Sequence, residues 1–353
     1  MNSVAAAQAR PSAIAEAIAG FRVASIGHFP TALEALPRLS QQAGGALHIK
    51  RDDSNGLGLG GNKVRQLSFY LGDALAQGAD TVLITGAVQS NYVRCTAAAA
   101  AKLGLHCHIQ LEQRVSKDSH AYNHSGNVLL NHLFGATVTH YPHGEDEAGA
   151  DASLEQYAES YRREGRKPYV IHLSMGHTPF GAVGYVDAAR EILEQLTAQS
   201  LSVDTLVVAS GSGHTHAGLL TGLKLANADI KVIGACVRRE KTLQEQRITK
   251  LCSDIEQLLG VAPVVGGSDI VCDDRFLAPG YGQPGLAAID AMKAAARFEG
   301  IIVDPVYTAK SMACAIAVAA NAQRNATTLY IHTGGVPALF GYEDALTPVL
   351  TES

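Results

Sequence analysis

Short runs rich in β-branched residues alternate with helix-length segments along most of this 353-residue chain, and that alternation restricts the fold more than any other feature. Asp80-Thr-Val-Leu-Ile-Thr85 is apolar almost throughout, as expected of a parallel strand covered on both faces. Asn91 to Leu103, with Ala97 to Ala101 at its centre, reads as a tightly packed helix closed by Gly104. A strand (His106 to Leu111), a helix (Gly126 to Phe134) and a strand (Thr137 to Tyr141) continue the pattern. Strands joined through helices run parallel with right-handed crossovers, so the class is α/β with open, mostly parallel sheets flanked by helices. From Gly144 to about Lys167 the chain turns acidic and polar, which marks a boundary. The alternation resumes at Tyr169-Val-Ile-His-Leu, Thr205 to Ala209, Lys231 to Val237 and Thr328 to His332.

The net charge of −5 argues against a nucleic-acid partner or an anionic membrane surface, since either calls for a basic patch. No run approaches the ~18 apolar residues of a membrane-spanning helix. Met1 to Gly20 lacks the basic flank and apolar run of a signal peptide and reads as a tail or a peripheral helix. Cys95, Cys107, Cys236, Cys252, Cys272 and Cys314 show no C-x-x-C and no zinc-like spacing, so reduced thiols in a cytoplasmic protein, and no metal site, are expected. Small molecules are the expected partners.

Three stretches carry candidate chemistry. Arg51-Asp-Asp-Ser-Asn-Gly-Leu-Gly-Leu-Gly-Gly-Asn-Lys63 joins a strand ending at Lys50 to a helix whose apolar residues Val64, Leu67, Leu71 and Ala74 fall on one face. Gly56-x-Gly58-x-x-Gly61 matches a dinucleotide fingerprint only formally, because the next strand ends in Thr85-Gly86 with no acidic residue to hold a ribose. A Walker loop fails as well, for want of a Ser or Thr after the lysine. Ser210-Gly-Ser-Gly-His-Thr-His-Ala-Gly218 follows an apolar strand and opens a helix, where free N–H groups and the helix dipole suit an anion, most often phosphate. Tyr330-Ile-His-Thr333-Gly-Gly335 delivers a hydroxyl at a strand end. An amine, an anion cup and hydroxyl donors converging on one crevice are what pyridoxal phosphate requires.

These stretches, with Gly86-Ala-Val-Gln-Ser-Asn91, Gly280-Tyr281-Gly and Asp304-Pro-Val-Tyr307, resemble in order and spacing the family of D-cysteine desulfhydrase, L-cysteate sulfo-lyase and 1-aminocyclopropane-1-carboxylate (ACC) deaminase, from about Phe29 to Tyr342. The resemblance implies the tryptophan-synthase-β-like fold (pyridoxal-phosphate fold type II), with two sheets and the active site between the domains. It implies a large cofactor-binding domain (1–55 and 164–353), a small domain (56–163) and a homodimer. Lys63 would carry the pyridoxal phosphate and, once freed, take the α-proton. Asn91 would bond the cofactor's phenolic oxygen and Ser90 the substrate carboxylate. The backbone of Gly211, Ser212, Gly213, His214 and Thr215 would hold the phosphate, and Thr333 would face the ring nitrogen. Tyr281 and Tyr307 would line the substrate side.

The implied reaction is α,β-elimination from a small β-substituted amino acid, D-cysteine first, with L-cysteate as the alternative. ACC ring opening is disfavoured, because ACC deaminases typically carry Glu directly after the second tyrosine and this chain has Thr308. A non-catalytic binding protein on the same fold is the reading from another class, opposed by the intact Lys63 and Ser90-Asn91. Ser174-Met-Gly-His177-Thr-Pro-Phe180 departs from the family's usual Gly-Gly-Ser-Asn. Tyr92 for the usual His and Ala32 for Pro are smaller departures. Arg114 reads either as a contact for an anionic substituent or as an ordinary salt-bridge residue, and His177 as a substrate contact or a loop histidine.

Overall fold

The computed structural model describes residues 9–144 and 146–351. Its strands are β1 (Leu33–Ala35), β2 (Ala46–Lys50), β3 (Thr81–Ala87), β4 (His106–Glu112), β5 (Thr137–Tyr141), β6 (Pro168–Ile171), β7 (Thr205–Ser210), β8 (Lys231–Cys236), β9 (Val271–Asp273) and β10 (Thr327–Ile331). They form a six-stranded sheet ordered β1-β2-β10-β7-β8-β9 and a four-stranded sheet ordered β5-β4-β3-β6. Only β1 runs antiparallel to its neighbour. This is the expected pair of open, mostly parallel sheets.

The expected junction at 163/164 falls short of one strand. Residues 168–171 pair with β3, Thr81 opposite Pro168 and Ile84 opposite Ile171, so the smaller sheet draws on chain as far as Ile171. The polar character of the helix Glu147–Arg163 suggested a linker, but that helix covers the sheet, burying Ala150, Leu154 and Ala158 beneath a solvated outer face. Strand β1 and strand β9 are three residues each, too short for their periodicity to show within segments rich in Pro, Gly and Asp. Of the N-terminal stretch, residues 1–8 lie outside the described residues. From Pro11 to Ile18 it is a helix that buries Ile14 completely. Among the described residues no helix is long and apolar enough to cross a membrane.

Strand β7 shows how the core divides. Leu206 and Val208 face a cluster formed with the helices Phe180–Ala198 and His214–Leu225, whereas Val207 faces the opposite cluster with the helices Leu286–Glu299 and Thr308–Ala320. Period-two alternation on a strand covered on both faces explains why Leu206 to Ala209 are apolar without a break. Helix Phe180–Ala198 also packs on helix Lys63–Ala76, so closely that a Cβ at Gly184 would lie 2.3 Å from the carbonyl oxygen of Arg65. A buried charge network ties these elements together. Arg65 bonds both Asp52 and Glu191, Lys50 bonds Glu191, and Tyr185 and Thr31 donate to Asp52 at 2.6 and 2.8 Å.

Candidate active site

Parallel strands leave their carboxyl ends on one side of each sheet, and there the connecting loops converge. The main cavity follows that rule. It is walled by Thr85 to Ala87 from the end of β3, Glu112 at the end of β4 and Arg114 beyond it, Leu173 and Ser174 beyond β6, Ala209 in β7 with Gly211, Ser212, Gly213 and Thr215 beyond it, Arg238 beyond β8 and Thr333 to Gly335 beyond β10. About 1060 Å³ of space lies inside, solvent at its mouth included. That is room for a cofactor and a small amino acid.

Lys63 opens the helix Lys63–Ala76 with its amine in this cavity, 4.8 Å from the centre of the Tyr92 ring. Burial pushes its pKa down to about 8, and no carboxylate is paired with it among the described residues. Burial without a counter-ion favours the neutral amine, the nucleophilic form. The glycine loop before it is held from two sides. Arg94, buried in the helix Asn91–Leu103, donates to the carbonyls of Gly58 and Gly60 and to Asn127. Gly61 meets the other sheet's loop, where a Cβ on Gly334 would stand 2.5 Å from the Gly61 Cα. Asn62 donates from its backbone to the Thr333 carbonyl at 3.0 Å. The loop is thus fixed on both sides, with Lys63 at the cavity.

Strand β7 ends in Ser210, and Gly213 enters the next helix at φ 98°, a left-handed conformation that glycine adopts without strain. The Gly211 carbonyl is engaged from behind by Gln244 and Arg239, and the Ser212 carbonyl by Arg247 at 2.8 Å. The unpaired N–H groups of the helix start then remain for an anion. The Thr215 hydroxyl accepts from Asn62 at 2.8 Å and Gln66 at 2.9 Å, so only its proton is left to donate. His214 follows Gly213 but its side chain is no part of the cavity wall; burial, with Lys63 and Arg247 nearby, drives its pKa down to about 3, and it is neutral.

Ser90 caps the helix Asn91–Leu103, its hydroxyl accepting from the N–H of Tyr92 and Val93. Asn91 accepts at Oδ1 from Asn127 at 3.0 Å and from Arg94 at 3.4 Å, which leaves its NH₂ group as the donor. On the opposite wall the hydroxyls of Tyr281 and Tyr307 meet at 2.5 Å. Tyr307 is fixed by its backbone N–H to Asp304, whose buried carboxylate also accepts from the N–H groups of Val306 and Thr308. Burial, reinforced by Tyr281, holds the Tyr307 hydroxyl far above its ordinary pKa, so it stays protonated.

The structure brings Lys63, Ser90, Asn91, Gly211, Ser212, Gly213, Thr215, Tyr281, Tyr307 and Thr333 to one cavity, and leaves the His214 side chain out of its wall. An amine whose hold on its proton is weakened by burial, a turn of free N–H groups, a hydroxyl with only its proton to give and an amide with only its NH₂ to give fit pyridoxal phosphate part by part. A model of pyridoxal-phosphate-dependent enzymes matches residues 24–334. The chain belongs to the pyridoxal-phosphate-dependent enzymes. It is 43 % identical over 315 residues to a D-cysteine desulfhydrase of Salmonella choleraesuis (strain SC-B67), covering 89 % of this chain and 94 % of the relative. A D-cysteine desulfhydrase of Salmonella typhi is 42 % identical over the same shares. Among solved structures, an ACC deaminase homologue superposes with a TM-score of 0.84 at 36 % identity, over 95 % of this chain and 98 % of that one. An O-ureido-L-serine synthase, 19 % identical with a TM-score of 0.66 over 90 % and 93 % of the two chains, shares the fold.

Several contributors escaped the sequence reading. Arg94 and Asn127 hold the lysine loop and Asn91; Arg94 does not stand out in an alanine-rich helix, nor Asn127 at the start of the helix Gly126–Leu133. Lys310 is buried and donates to the carbonyls of Leu277 and Gly280 at 2.6 Å each, which fixes the loop of Tyr281. Arg114 lines the cavity and forms a two-point ion pair with the fully buried Glu112, a salt bridge inside the site instead of on the surface. His177 is 43 % exposed and stands outside the cavity wall, against His172.

Proposed function

We propose that this chain is a lyase that splits D-cysteine by α,β-elimination, giving pyruvate, ammonia and hydrogen sulfide with uptake of one water. The observation that carries the reading is the pairing of Lys63 with the Tyr281–Tyr307 couple across one cavity, an amine to take the α-proton and a hydroxyl pair to return one to the departing sulfur. Bound pyridoxal phosphate would supply the electron sink that makes the α-proton removable. Lys63 would hold it, with the Gly211 to Thr215 turn on its phosphate, the Asn91 amide on its phenolic oxygen and the Thr333 hydroxyl toward its ring nitrogen. Ser90, at a helix start, would orient the substrate carboxylate.

The cavity wall supports a neutral thiol over a sulfonate. Its acidic residues Glu112, Glu147, Asp151 and Asp304 balance Lys63, Arg114, Arg238 and Arg247, and Arg114 is already paired with Glu112. Thr308 turns its hydroxyl onto Asp304 at 2.6 Å, away from any substrate, which supports the exclusion of ACC. We place the protein in the cytoplasm as a homodimer, on the family's pattern. The test is a panel of D-cysteine, L-cysteate, ACC, D-serine and β-chloroalanine assayed for pyruvate and 2-oxobutyrate. D-cysteine is expected to give the highest kcat/KM; dominant 2-oxobutyrate from ACC, or no turnover of any member by the loaded protein, ends the reading.

A further inference from the structure

Beside the cavity mouth, two histidines and a carboxylate meet in an arrangement that the elimination reaction does not use. Asp151 lies on the helix Glu147–Arg163, and His172 and His177 lie in the segment that leaves β6, His177 within the Ser174 to Phe180 stretch already noted as a departure from the family. One donor atom from each of the three falls within 4.8 Å of the others. His172 Nδ1 is 3.4 Å from Asp151 Oδ1, and His177 Nε2 is 3.6 Å from Asp151 Oδ2. Two donors on a tetrahedral zinc, each at about 2.0–2.1 Å, stand about 3.4 Å apart, and each imidazole already stands near that spacing from one of the two Asp151 oxygens.

The surroundings match as well. Glu155 takes the other ring nitrogen of His172, Nε2, at 2.9 Å. That contact directs the proton to Nε2 and the lone pair to Nδ1, the carboxylate–histidine pattern found behind metal-ligating imidazoles. Nδ1 itself is buried and meets only Asp151 Oδ1, at 3.4 Å and without good hydrogen-bond geometry, whereas a buried polar nitrogen normally finds a well-formed bond. Ser174 donates to Asp151 and fixes its carboxylate. His177 lies stacked on His172, ring centres 3.9 Å apart, which keeps the two imidazoles together beside Asp151. Asp151 and Ser174 are part of the cavity wall, so the point lies at the rim of the proposed active site.

We propose that Asp151, His172 and His177 form a binding site for a divalent transition-metal ion such as Zn²⁺ or Co²⁺. Two imidazoles and one carboxylate select such ions over Mg²⁺ and Ca²⁺, which prefer all-oxygen shells. A fourth position stays open toward the cavity mouth. Protons compete for the same nitrogens, so affinity falls as the solution is acidified.

The test uses the holoenzyme after chelator treatment, with no amino acid present, since thiols bind these metals. Zn²⁺ is titrated calorimetrically, and Co²⁺ through its visible ligand-field bands, which lie to the red of cofactor absorption. One equivalent is expected to bind saturably, with a tetrahedral Co²⁺ spectrum, while Mg²⁺ and Ca²⁺ produce no heat. Asp151→Asn and His177→Ala are each expected to weaken binding at least 30-fold. His177 is 43 % exposed, so His177→Ala keeps the fold and carries the test even where His172→Ala does not fold. Absence of saturable binding to the wild type, or equal affinity in wild type and His177→Ala, would overturn the proposal.

Discussion

Asn62 donates from its side-chain amide to the Thr215 hydroxyl at 2.8 Å, joining residues 153 positions apart. The bond links the helix that carries the lysine to the turn that would hold the phosphate, so the two halves of the cofactor site keep one spacing. Removing the donor with Asn62→Ala leaves Thr215 one of its two donors, Gln66. A hydrogen bond of this kind is worth about 1 kcal/mol, so the dissociation constant for pyridoxal phosphate should rise roughly five- to tenfold. Thr215→Val strands both amides and should cost more. Equilibrium dialysis read by cofactor absorbance checks both, and an unchanged constant in Asn62→Ala removes this role.

Lys63→Ala should abolish elimination, with activity falling at least a thousandfold. The amine also fixes a pH dependence. Burial lowers its pKa from 10.5 to about 8, so in the apoprotein the reactive neutral form gains about tenfold per pH unit below 8 and saturates above it. Uptake of pyridoxal phosphate by the apoprotein, followed in a stopped-flow instrument from pH 6 to 10, should climb and then level near pH 8. A rise that continues to pH 10 would show an ordinary, solvated lysine. The sign for stability follows from the same shift. The unfolded chain keeps the proton up to a higher pH than the fold does, so this group favours the fold more as pH rises from 8 toward 10.5 and costs most below 8.

The sheets were legible because their strands are covered on both faces, which puts unbroken apolar runs, Val82 to Ile84 and Leu206 to Ala209, at the centres of β3 and β7. The glycine loops were legible because close approach and positive φ leave few other residues for Gly61, Gly213 and Gly334. What stayed hidden was whatever depends on partners distant in sequence. Arg94 looks like any helical arginine until the Gly58 and Gly60 carbonyls are seen beside it, 36 and 34 residues away. The Asp151, His172 and His177 group spans a helix and a loop; His172 and His177 stand at a spacing that zinc ligands use, but nothing in the sequence joins them to Asp151 on the preceding helix. Strand β6 was assigned to the wrong side of a boundary because local polarity marked the covering helix, while its true partner, β3, lies some 85 residues earlier.

The tyrosine pair predicts a split between chemistry and folding. Tyr281→Phe and Tyr307→Phe each remove one hydroxyl from a 2.5 Å contact and leave the ring packing in place. If the pair returns a proton to sulfur, each should lower kcat for D-cysteine by about 10²-fold or more, the usual range for a general acid. The effect should shrink for β-chloroalanine, whose chloride leaves without a proton. Equal losses on both substrates would assign the tyrosines to binding geometry instead.

The network around Arg65 should govern acid stability. Burial alone would raise the Asp52 and Glu191 carboxyls, but Arg65 and Lys50 outweigh it and hold both below their ordinary pKa values. Groups lowered by folding stabilise above the unfolded carboxylate range near pH 4, and that contribution is lost as pH falls through the folded values. Glu191→Gln keeps the shape but leaves Lys50 short of a carboxylate and Arg65 with Asp52 alone. An uncompensated buried charge costs about 3–5 kcal/mol, so the variant should unfold at lower urea at pH 7. Its deficit should narrow as pH falls below 4, where the wild type gives up the same interaction. A deficit under about 1 kcal/mol at pH 7, or one constant from pH 7 to 3, would mean that the network positions helices without stabilising them.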